Sequence, residues 1–186
     1  AVDDFGHTIR LDPGQPQHLG NRALAYSLLG RFEEAIEDYG EVLRLEPDDL
    51  GTLMSRGLSY SSIGKPQEAI DDFSAVIVLE PGYAEAYVNR GNAYVELGQY
   101  DPGIQDYNES IRLGPDLPQA YNSRGTAMLE IGRPQKSVDD FNEAIRLAPE
   151  YVEAYSNRAG ALISLGLAQR ALGDLDEAIR LNPQNA

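Results

Sequence analysis

NRGNAYVELG, which spans Asn89 to Gly98, has near-copies along the whole chain. Each copy holds an arginine and a later glycine at a fixed step of 34 residues: Arg22, Arg56, Arg90, Arg124 and Arg158, with Gly30, Gly64, Gly98, Gly132 and Gly166. Six prolines keep the same step: Pro13, Pro47, Pro81, Pro115, Pro149 and Pro183. A common period in three residue types indicates an array of one repeated supersecondary unit.

The repeat divides the chain into five full repeats and one partial one. The full repeats are 16–49, 50–83, 84–117, 118–151 and 152–185, and the partial one is 1–15. Because residues 1–15 match the end of a repeat, we expect the chain to be a piece of a longer array. We also expect residues 1–186 to form one continuous domain in which each repeat contacts only its neighbours.

The composition limits the class of protein and its partners. A hydrophobic content of 42% indicates a folded chain despite a net charge of -15. With 15 basic and 30 acidic residues, the surface suits neither nucleic acid nor anionic lipid. No apolar run approaches the ~18 residues that a membrane span needs, so we expect no membrane insertion and a cytoplasmic location. A protein or peptide with a basic or neutral segment is the expected partner.

Each repeat is predicted to hold two amphipathic helices that are separated at the glycine. In the third repeat, small and apolar side chains recur at helical spacing from about Ala84 to Leu97. Gly98 supplies the left-handed residue that commonly ends a helix. The second helix is expected over about Asp101 to Leu113, with Asp101 as its N-cap. Helices this short are marginal alone, so packing against neighbours must stabilise them.

Small and large residues recur at fixed places on these helices. The middle of each first helix carries Ala23, Gly57, Gly91, Gly125 or Ala159. Each second helix carries a large residue, which is Tyr39, Phe73, Tyr107, Phe141 or Leu175. Small side chains at a contact allow two helix axes to approach to the close end of the ~8–10 Å range. We therefore expect tight packing between the helices, with the large side chains filling the remaining space.

This combined pattern resembles the tetratricopeptide repeat (TPR) family over residues 16–185. The departures are local: Gly103 and Ser137 replace an expected alanine, Met128 and Leu162 a tyrosine, and Leu175 an aromatic residue. The resemblance implies an all-α, right-handed superhelical solenoid of stacked antiparallel helix pairs, whose concave groove is lined by the first helices. It also implies a protein–protein interaction scaffold or adaptor that binds a peptide or protein segment in that groove.

The resemblance also implies which residues line the groove. The expected groove residues are Leu24, Met54, Leu58, Glu85, Val88, Asn89, Asn92, Glu96, Asn122, Thr126 and Glu130. Asparagine side chains suit the backbone amides of a ligand because each offers a donor and an acceptor. The glutamates favour a ligand with Lys or Arg. The alternative is that these side chains are ordinary solvated surface.

Each repeated arginine is followed, sixteen residues later, by a repeated aspartate. These aspartates are Asp38, Asp72, Asp106, Asp140 and Asp174. The recurrence predicts ion pairs between first and second helices, either within one repeat or across to its neighbour. Partly buried pairs of this kind fix geometry more than they add stability. The other interpretation is an arginine ladder that binds an acidic ligand.

Catalysis has little support in the sequence. No nucleophile stands at a recognisable spacing from a base, the two histidines are His7 and His18, and cysteine is absent. We therefore expect no catalytic residue, no metal and no cofactor in this chain. Two alternatives to a free-standing scaffold remain: the recruiting arm of a larger enzyme, or self-assembly end to end through Phe5 and Ile9 at one end and Leu175, Ile179 and Leu181 at the other.

Overall fold

The computed structural model describes residues 15–183, and within that range the chain forms ten α-helices and no strand. The first helices of the five repeats are α1 (Pro16–Leu28), α3 (Leu50–Ser62), α5 (Ala84–Glu96), α7 (Pro118–Glu130) and α9 (Val152–Ser164). The second helices are α2 (Phe32–Leu45), α4 (Pro66–Leu79), α6 (Tyr100–Leu113), α8 (Pro134–Leu147) and α10 (Ala168–Leu181). The all-α class is confirmed.

The chain divides into two compact bodies between Leu97 and Gly98. In the described residues, the N-terminal body contains α1 to α5 and the C-terminal body contains α6 to α10. Within each body, every helix packs against the next one along the chain. The single domain over 1–186 stays a prediction, and the partial repeat at 1–15 lies outside the described residues except for Gln15.

No helix between residues 15 and 183 is long and apolar enough to cross a membrane.

A left-handed glycine separates the two helices of every repeat. Gly30, Gly64, Gly98, Gly132 and Gly166 have φ between 68° and 74°. In the first repeat the amide of Arg31 donates across this turn to the carbonyl oxygen of Tyr26 at 2.9 Å. The amide of Leu29 also donates to this carbonyl at 3.0 Å. The two bonds together replace the donor four residues on that the helix end does not supply. The predicted turn at Gly98 is therefore confirmed, and in the four repeats that lie within one body the short connection makes the two helices antiparallel.

The start of the second helix differs from the prediction in the third repeat. Helix α6 begins at Tyr100, Gln99 occupies its N-cap position, and no side chain caps it. Asp101, predicted as the N-cap, lies in the first turn instead. Its carboxylate still suits the positive end of the helix dipole there. The turn itself sets this start, because all five second helices begin two residues after the left-handed glycine.

Two first-helix glycines lie close against second-helix rings. A Cβ atom built on Gly57 lies 2.7 Å from Cε1 of Phe73, and one built on Gly125 lies 2.8 Å from Cε1 of Phe141. Both rings are completely buried. Phe73 belongs to a core cluster with Ala69, Ile70 and Ala93. The absence of a side chain at Gly57 therefore lets the ring reach the centre of this core.

We expect Gly57→Ala to destabilise the chain by about 1–2 kcal/mol. The added methyl group overlaps the Phe73 ring, and this overpacking outweighs the better helix propensity of alanine. Gly160→Ala is the matched control, because Gly160 is also inside a first helix and a Cβ atom there meets nothing within 4 Å. The control is expected to gain up to about 1 kcal/mol. Urea unfolding measures both, and equal gains in the two variants would contradict the packing described above.

Candidate functional site

An apolar recess opens on the first helices of the N-terminal body. Leu24 on α1 is 51% exposed and Leu58 on α3 is 47% exposed, although their side chains are apolar. The recess between them holds about 150 Å³. Its other lining residues are Ser27, Phe32, Tyr39, Ser55, Ser59 and Ser62. We call this site the serine–leucine recess.

The hydroxyl groups of this recess form a connected set. Ser27 Oγ lies 3.5 Å from the Tyr39 hydroxyl and 3.4 Å from Ser59 Oγ. Ser59 and Ser62 donate to helix carbonyl oxygens one turn earlier, at 2.8 and 2.9 Å. Because these hydroxyl hydrogens are used within the helix, the hydroxyl oxygens remain as acceptors. The recess thus offers apolar contact and hydrogen-bond acceptors to the same ligand segment.

The first helices of the C-terminal body present polar groups instead. Asn157 Nδ2 on α9 donates to Asn122 Oδ1 on α7 at 3.0 Å. Thr126 donates its hydroxyl to the carbonyl oxygen of Asn122 at 3.0 Å, and Glu130 is exposed. Burial raises the pKa of the neighbouring Tyr151 hydroxyl, and a hydrogen bond with Asn122 acts against that rise. Asn122 is therefore held in a fixed orientation by its neighbours.

One predicted groove residue belongs to the core, and a second packs partly against it. Val88 is only 7% exposed, so its side chain is not presented to a ligand. Met54 is half-buried and packs against two core clusters, which contain Val76 and Phe73. The correction at Val88 has a simple physical cause, since an apolar side chain gains about 1.5–3 kcal/mol by burial. The place of Met54 in the groove stays a prediction. In the same body Glu85, Asn92 and Glu96 are exposed and Asn89 is half-buried.

Four of the predicted arginine–aspartate pairs are present, each within one repeat. Arg22, Arg56, Arg124 and Arg158 each donate from Nε and Nη2 to the two carboxylate oxygens of Asp38, Asp72, Asp140 and Asp174, over 2.5 to 3.0 Å. All four carboxylates are buried. Hydrogen bonds to Asp38 and Asp72 raise the pKa of Arg22 and Arg56. The Arg90–Asp106 pair stays a prediction.

The third guanidinium nitrogen reaches the preceding repeat, a contact that the sequence analysis did not anticipate. Arg124 Nη1 donates to Asn108 Oδ1 at 2.7 Å, and Arg158 Nη1 donates to Asn142 Oδ1 at 2.7 Å. Arg90 Nη1 makes the equivalent contact with Ser74 Oγ at 3.1 Å. Arg124 and Arg158 therefore each join three helices. This arrangement favours a geometry-fixing role over an arginine ladder for an acidic ligand.

Other arginines pair on the exposed faces of second helices. Arg44, Arg112, Arg146 and Arg180 bind glutamates three residues earlier at 2.6 Å: Glu41, Glu109, Glu143 and Glu177. These hydrogen bonds lower the pKa of each glutamate. Exposed pairs of this kind contribute little to stability. Within residues 15–183, no group of three or more His, Cys, Asp or Glu side chains is placed to hold a metal ion.

Comparisons of the sequence with protein-family models identify the repeat. Tetratricopeptide repeat models match residues 16–49, 57–98, 91–132 and 122–186. The chain belongs to the tetratricopeptide repeat family. No curated protein sequence matches it.

Solved structures with the tetratricopeptide repeat fold align over nearly the whole chain. MamA has 25% sequence identity and a TM-score of 0.76, over 91% of this chain and 92% of that one. A tetratricopeptide repeat protein from Parabacteroides merdae has 22% identity and a TM-score of 0.85, over 97% and 72% of the two chains. YrrB, described as a TPR protein with an unusual peptide-binding site, has 20% identity and a TM-score of 0.70, over 99% and 95%. The right-handed superhelical course of the whole array stays a prediction.

We expect Arg124→Ala to lower the free energy of unfolding by about 2–4 kcal/mol. The substitution leaves the carboxylate of Asp140 buried without its cation, and it also removes the contact with Asn108. Thermal and urea unfolding measure the loss. Arg146→Ala is the control, because it removes an exposed pair and is expected to leave the midpoint unchanged. Equal midpoints for the two variants would show that the buried pair does not hold the helices together.

Proposed function

We propose that this protein is a non-catalytic scaffold that binds a segment of another protein along the exposed faces of its first helices. The family supports the general role, because repeat arrays present extended surfaces along which a ligand can lie. Among the structural relatives, YrrB is described as having a peptide-binding site. The proposal for this chain rests on its own exposed side chains.

The exposed leucines of the N-terminal body carry the proposal. Leu28 is 80% exposed, and it follows Leu24 by one helical turn on α1. Leu58 holds the same place in α3 that Leu24 holds in α1, one repeat apart. Three exposed leucines beside the serine–leucine recess form an apolar surface. An exposed apolar surface of this kind commonly marks a binding site. We infer that an apolar side chain of the ligand occupies this recess.

Polar groups on the first helices would form hydrogen bonds with the backbone of the ligand. Ser55 and Ser62 border the recess in the N-terminal body, and Asn122 and Asn157 form the hydrogen-bonded pair in the C-terminal body. An asparagine that donates through one amide hydrogen still has a second hydrogen and an acceptor lone pair. Such groups bind an extended backbone with little dependence on its sequence.

The charge of the surface sets a preference for the ligand. Glu85 and Glu96 in the N-terminal body and Glu130 and Glu153 in the C-terminal body are all exposed on first helices. The net charge of the chain is -15. Long-range attraction by such a surface raises the association rate of a basic segment and slows that of an acidic one. We therefore propose a ligand segment that combines an apolar anchor with neutral or basic flanking residues.

Site-specific photo-crosslinking tests this proposal. A photoreactive amino acid at Leu58 is expected to capture a partner, whereas the same group at Val78 is not. Val78 is the matched control, because it is also exposed and lies in the same body but on a second helix. The captured segment is identified by mass spectrometry and synthesised as a peptide.

Binding of that synthetic peptide to the purified chain completes the test. Leu24→Ser/Leu58→Ser is expected to weaken binding by about tenfold to a hundredfold, because two apolar contacts are lost. Val78→Ser is expected to leave the affinity unchanged, and added salt is expected to weaken binding in the parent chain. Equal capture at Leu58 and Val78, or equal affinity for the two variants, would contradict the proposal.

A further inference from the structure

A recess opens on the fourth repeat, where methionine stands in place of the expected tyrosine. It holds about 380 Å³ and lies within the C-terminal body, between α6, α7 and α8. Its lining residues are Asn108, Arg124, Met128, Lys136, Asp139 and Asp140. Described helices precede and follow this repeat within the same body, so the recess is internal to the array. We call it the Met128 recess.

Tyrosine occupies the place of Met128 in each of the first three repeats. The ring centre of Tyr26 lies 5.8 Å from the guanidinium carbon of Arg22, and that of Tyr60 lies 5.8 Å from the guanidinium carbon of Arg56. These rings are half-buried, and each lies within the range of an attractive cation–π contact. The place that Met128 takes in the fourth repeat is therefore a ring position beside an arginine.

The third repeat shows that one arginine accommodates two rings. The guanidinium carbon of Arg90 lies 5.6 Å from the ring centre of Tyr87 and 5.9 Å from that of Tyr94. In the fourth repeat Arg124 lies 5.7 Å from the ring of Tyr121, at the place of Tyr87. The place of the second ring holds the unbranched side chain of methionine, and the recess lies beside it. Arg124 therefore has room for a second aromatic contact.

The first repeat adds a carboxylate to this arrangement. The ring centre of Tyr26 also lies 4.5 Å from the guanidinium carbon of Arg31. Arg31 donates from Nε and Nη2 to Oε1 of Glu34, at 2.8 and 2.6 Å. One guanidinium thus contacts an aromatic ring and a carboxylate at the start of α2. The ring position therefore has an anion position next to it.

The fourth repeat keeps this arginine but has neither the ring nor the carboxylate. Arg133 precedes α8 as Arg31 precedes α2, three periods apart. Lys136 stands at the place of Glu34, and it lines the Met128 recess. Among the described residues, no carboxylate forms an ion pair with Arg133 or Lys136. Two exposed cations and a position for an aromatic ring thus occur together at the start of α8.

We propose that the Met128 recess binds a tyrosine side chain of a partner protein, together with a carboxylate next to it in the partner's sequence. The ring lies against Met128 and the guanidinium of Arg124, in the place that tyrosine occupies in the first three repeats. The carboxylate pairs with Arg133 and Lys136, and it supplies the anion that Glu34 supplies in the first repeat. This site is separate from the first-helix surface of the proposed function and does not depend on it.

The lining of the recess selects among side chains. The thioether and the guanidinium attract an aromatic ring more strongly than an aliphatic side chain of similar size. Asp139 is exposed at the recess, and its carboxylate can accept the phenol hydrogen of tyrosine, which phenylalanine lacks. Arg133 and Lys136 favour an acidic neighbour of the tyrosine over a basic one. The net charge of -15 slows the approach of an acidic segment, so these short-range contacts must supply the affinity.

NMR of the two methionine methyl groups tests the proposal. The chain contains two methionines, Met54 and Met128, so methyl-labelled methionine reports on the recess with one signal and supplies a control with the other. The probe is acetyl-Glu-Tyr-amide. Its ring is expected to shift the Met128 signal to a saturable limit at millimolar concentration, whereas Met54, which packs against two core clusters, does not respond. A Met128 signal that stays in place, or equal shifts of both signals, would overturn the proposal.

Matched probes separate the ring, the hydroxyl group and the carboxylate of the ligand. Leucine in place of tyrosine is expected to weaken binding about tenfold or more, because the contacts with sulfur and guanidinium are lost. Phenylalanine is expected to weaken it about threefold. Glutamine in place of glutamate is expected to weaken it about threefold to tenfold. Saturation transfer from the protein to each probe measures the affinities, and equal values for the glutamate and glutamine probes would contradict the proposed pairing.

Variants of the chain locate the contact. Met128→Tyr is expected to raise the melting temperature by a few degrees and to abolish probe binding, because the chain's own ring then fills the recess. Lys136→Glu restores the residue type of Glu34 and gives Arg133 an internal partner, so it is expected to weaken binding about tenfold or more. Lys65→Glu is the matched control, because it changes the net charge equally but lies in the N-terminal body. Equal losses in the two lysine variants would show a general effect of charge and overturn the proposal.

Two further results would also overturn the proposal. The first is loss of probe binding in Leu24→Ser/Leu58→Ser with unchanged binding in Met128→Tyr, because the probe then lies on the first-helix surface. The second is a dimer, measured by light scattering, that Met128→Tyr dissociates, because a second copy of the chain is then the occupant.

Discussion

The structure depends on the close approach of a small first-helix residue to a large second-helix side chain. At Gly57 and Gly125 the approach is so close that a single methyl group would overlap the ring of Phe73 or Phe141. The first helices have 13 residues and the second helices 14. Helices of that length are marginal in water by themselves, so the contact between them must supply what the helices lack.

The polar contacts follow from this close approach. Once the two helices lie together, the guanidinium of Arg124 reaches both oxygens of Asp140 and, with its remaining nitrogen, Asn108 in the preceding repeat. Its planar group has donors in a rigid fork, so it fixes direction as well as distance. The same side chain thus sets the geometry inside a repeat and the geometry between repeats. The first helices keep an exposed face as a result, and that face carries the proposed binding surface.

The period predicted the fold well because every feature that recurs five times is constrained in the same way in each repeat. The left-handed Gly98 and the arginine–aspartate spacing belong to this class. The individual groove residues were less predictable. Val88 and Met54 occupy first-helix positions that the family associates with the groove, but Val88 is buried and Met54 is half-buried against the core.

Two features had no clear signal in the sequence. The serine–leucine recess requires Ser27 and Ser59 to come within 3.4 Å across two repeats, which a single repeat does not specify. The arginine contact with the preceding repeat involves Ser74, Asn108 or Asn142, and these residues differ from repeat to repeat. Each acceptor lies sixteen residues before its arginine, but the residue type at that position varies between glycine, serine and asparagine. The spacing alone therefore did not predict the contact.

The central claim is that each helix pair is stable only through its neighbours, and circular dichroism of one excised repeat tests it most directly. A peptide of residues 50–83 contains α3, α4 and the contact between Gly57 and Phe73. Without flanking repeats it is expected to show little helix at 25 °C and no cooperative melting, whereas the full chain melts cooperatively. A helical peptide with a sharp thermal transition near that of the full chain would contradict the account.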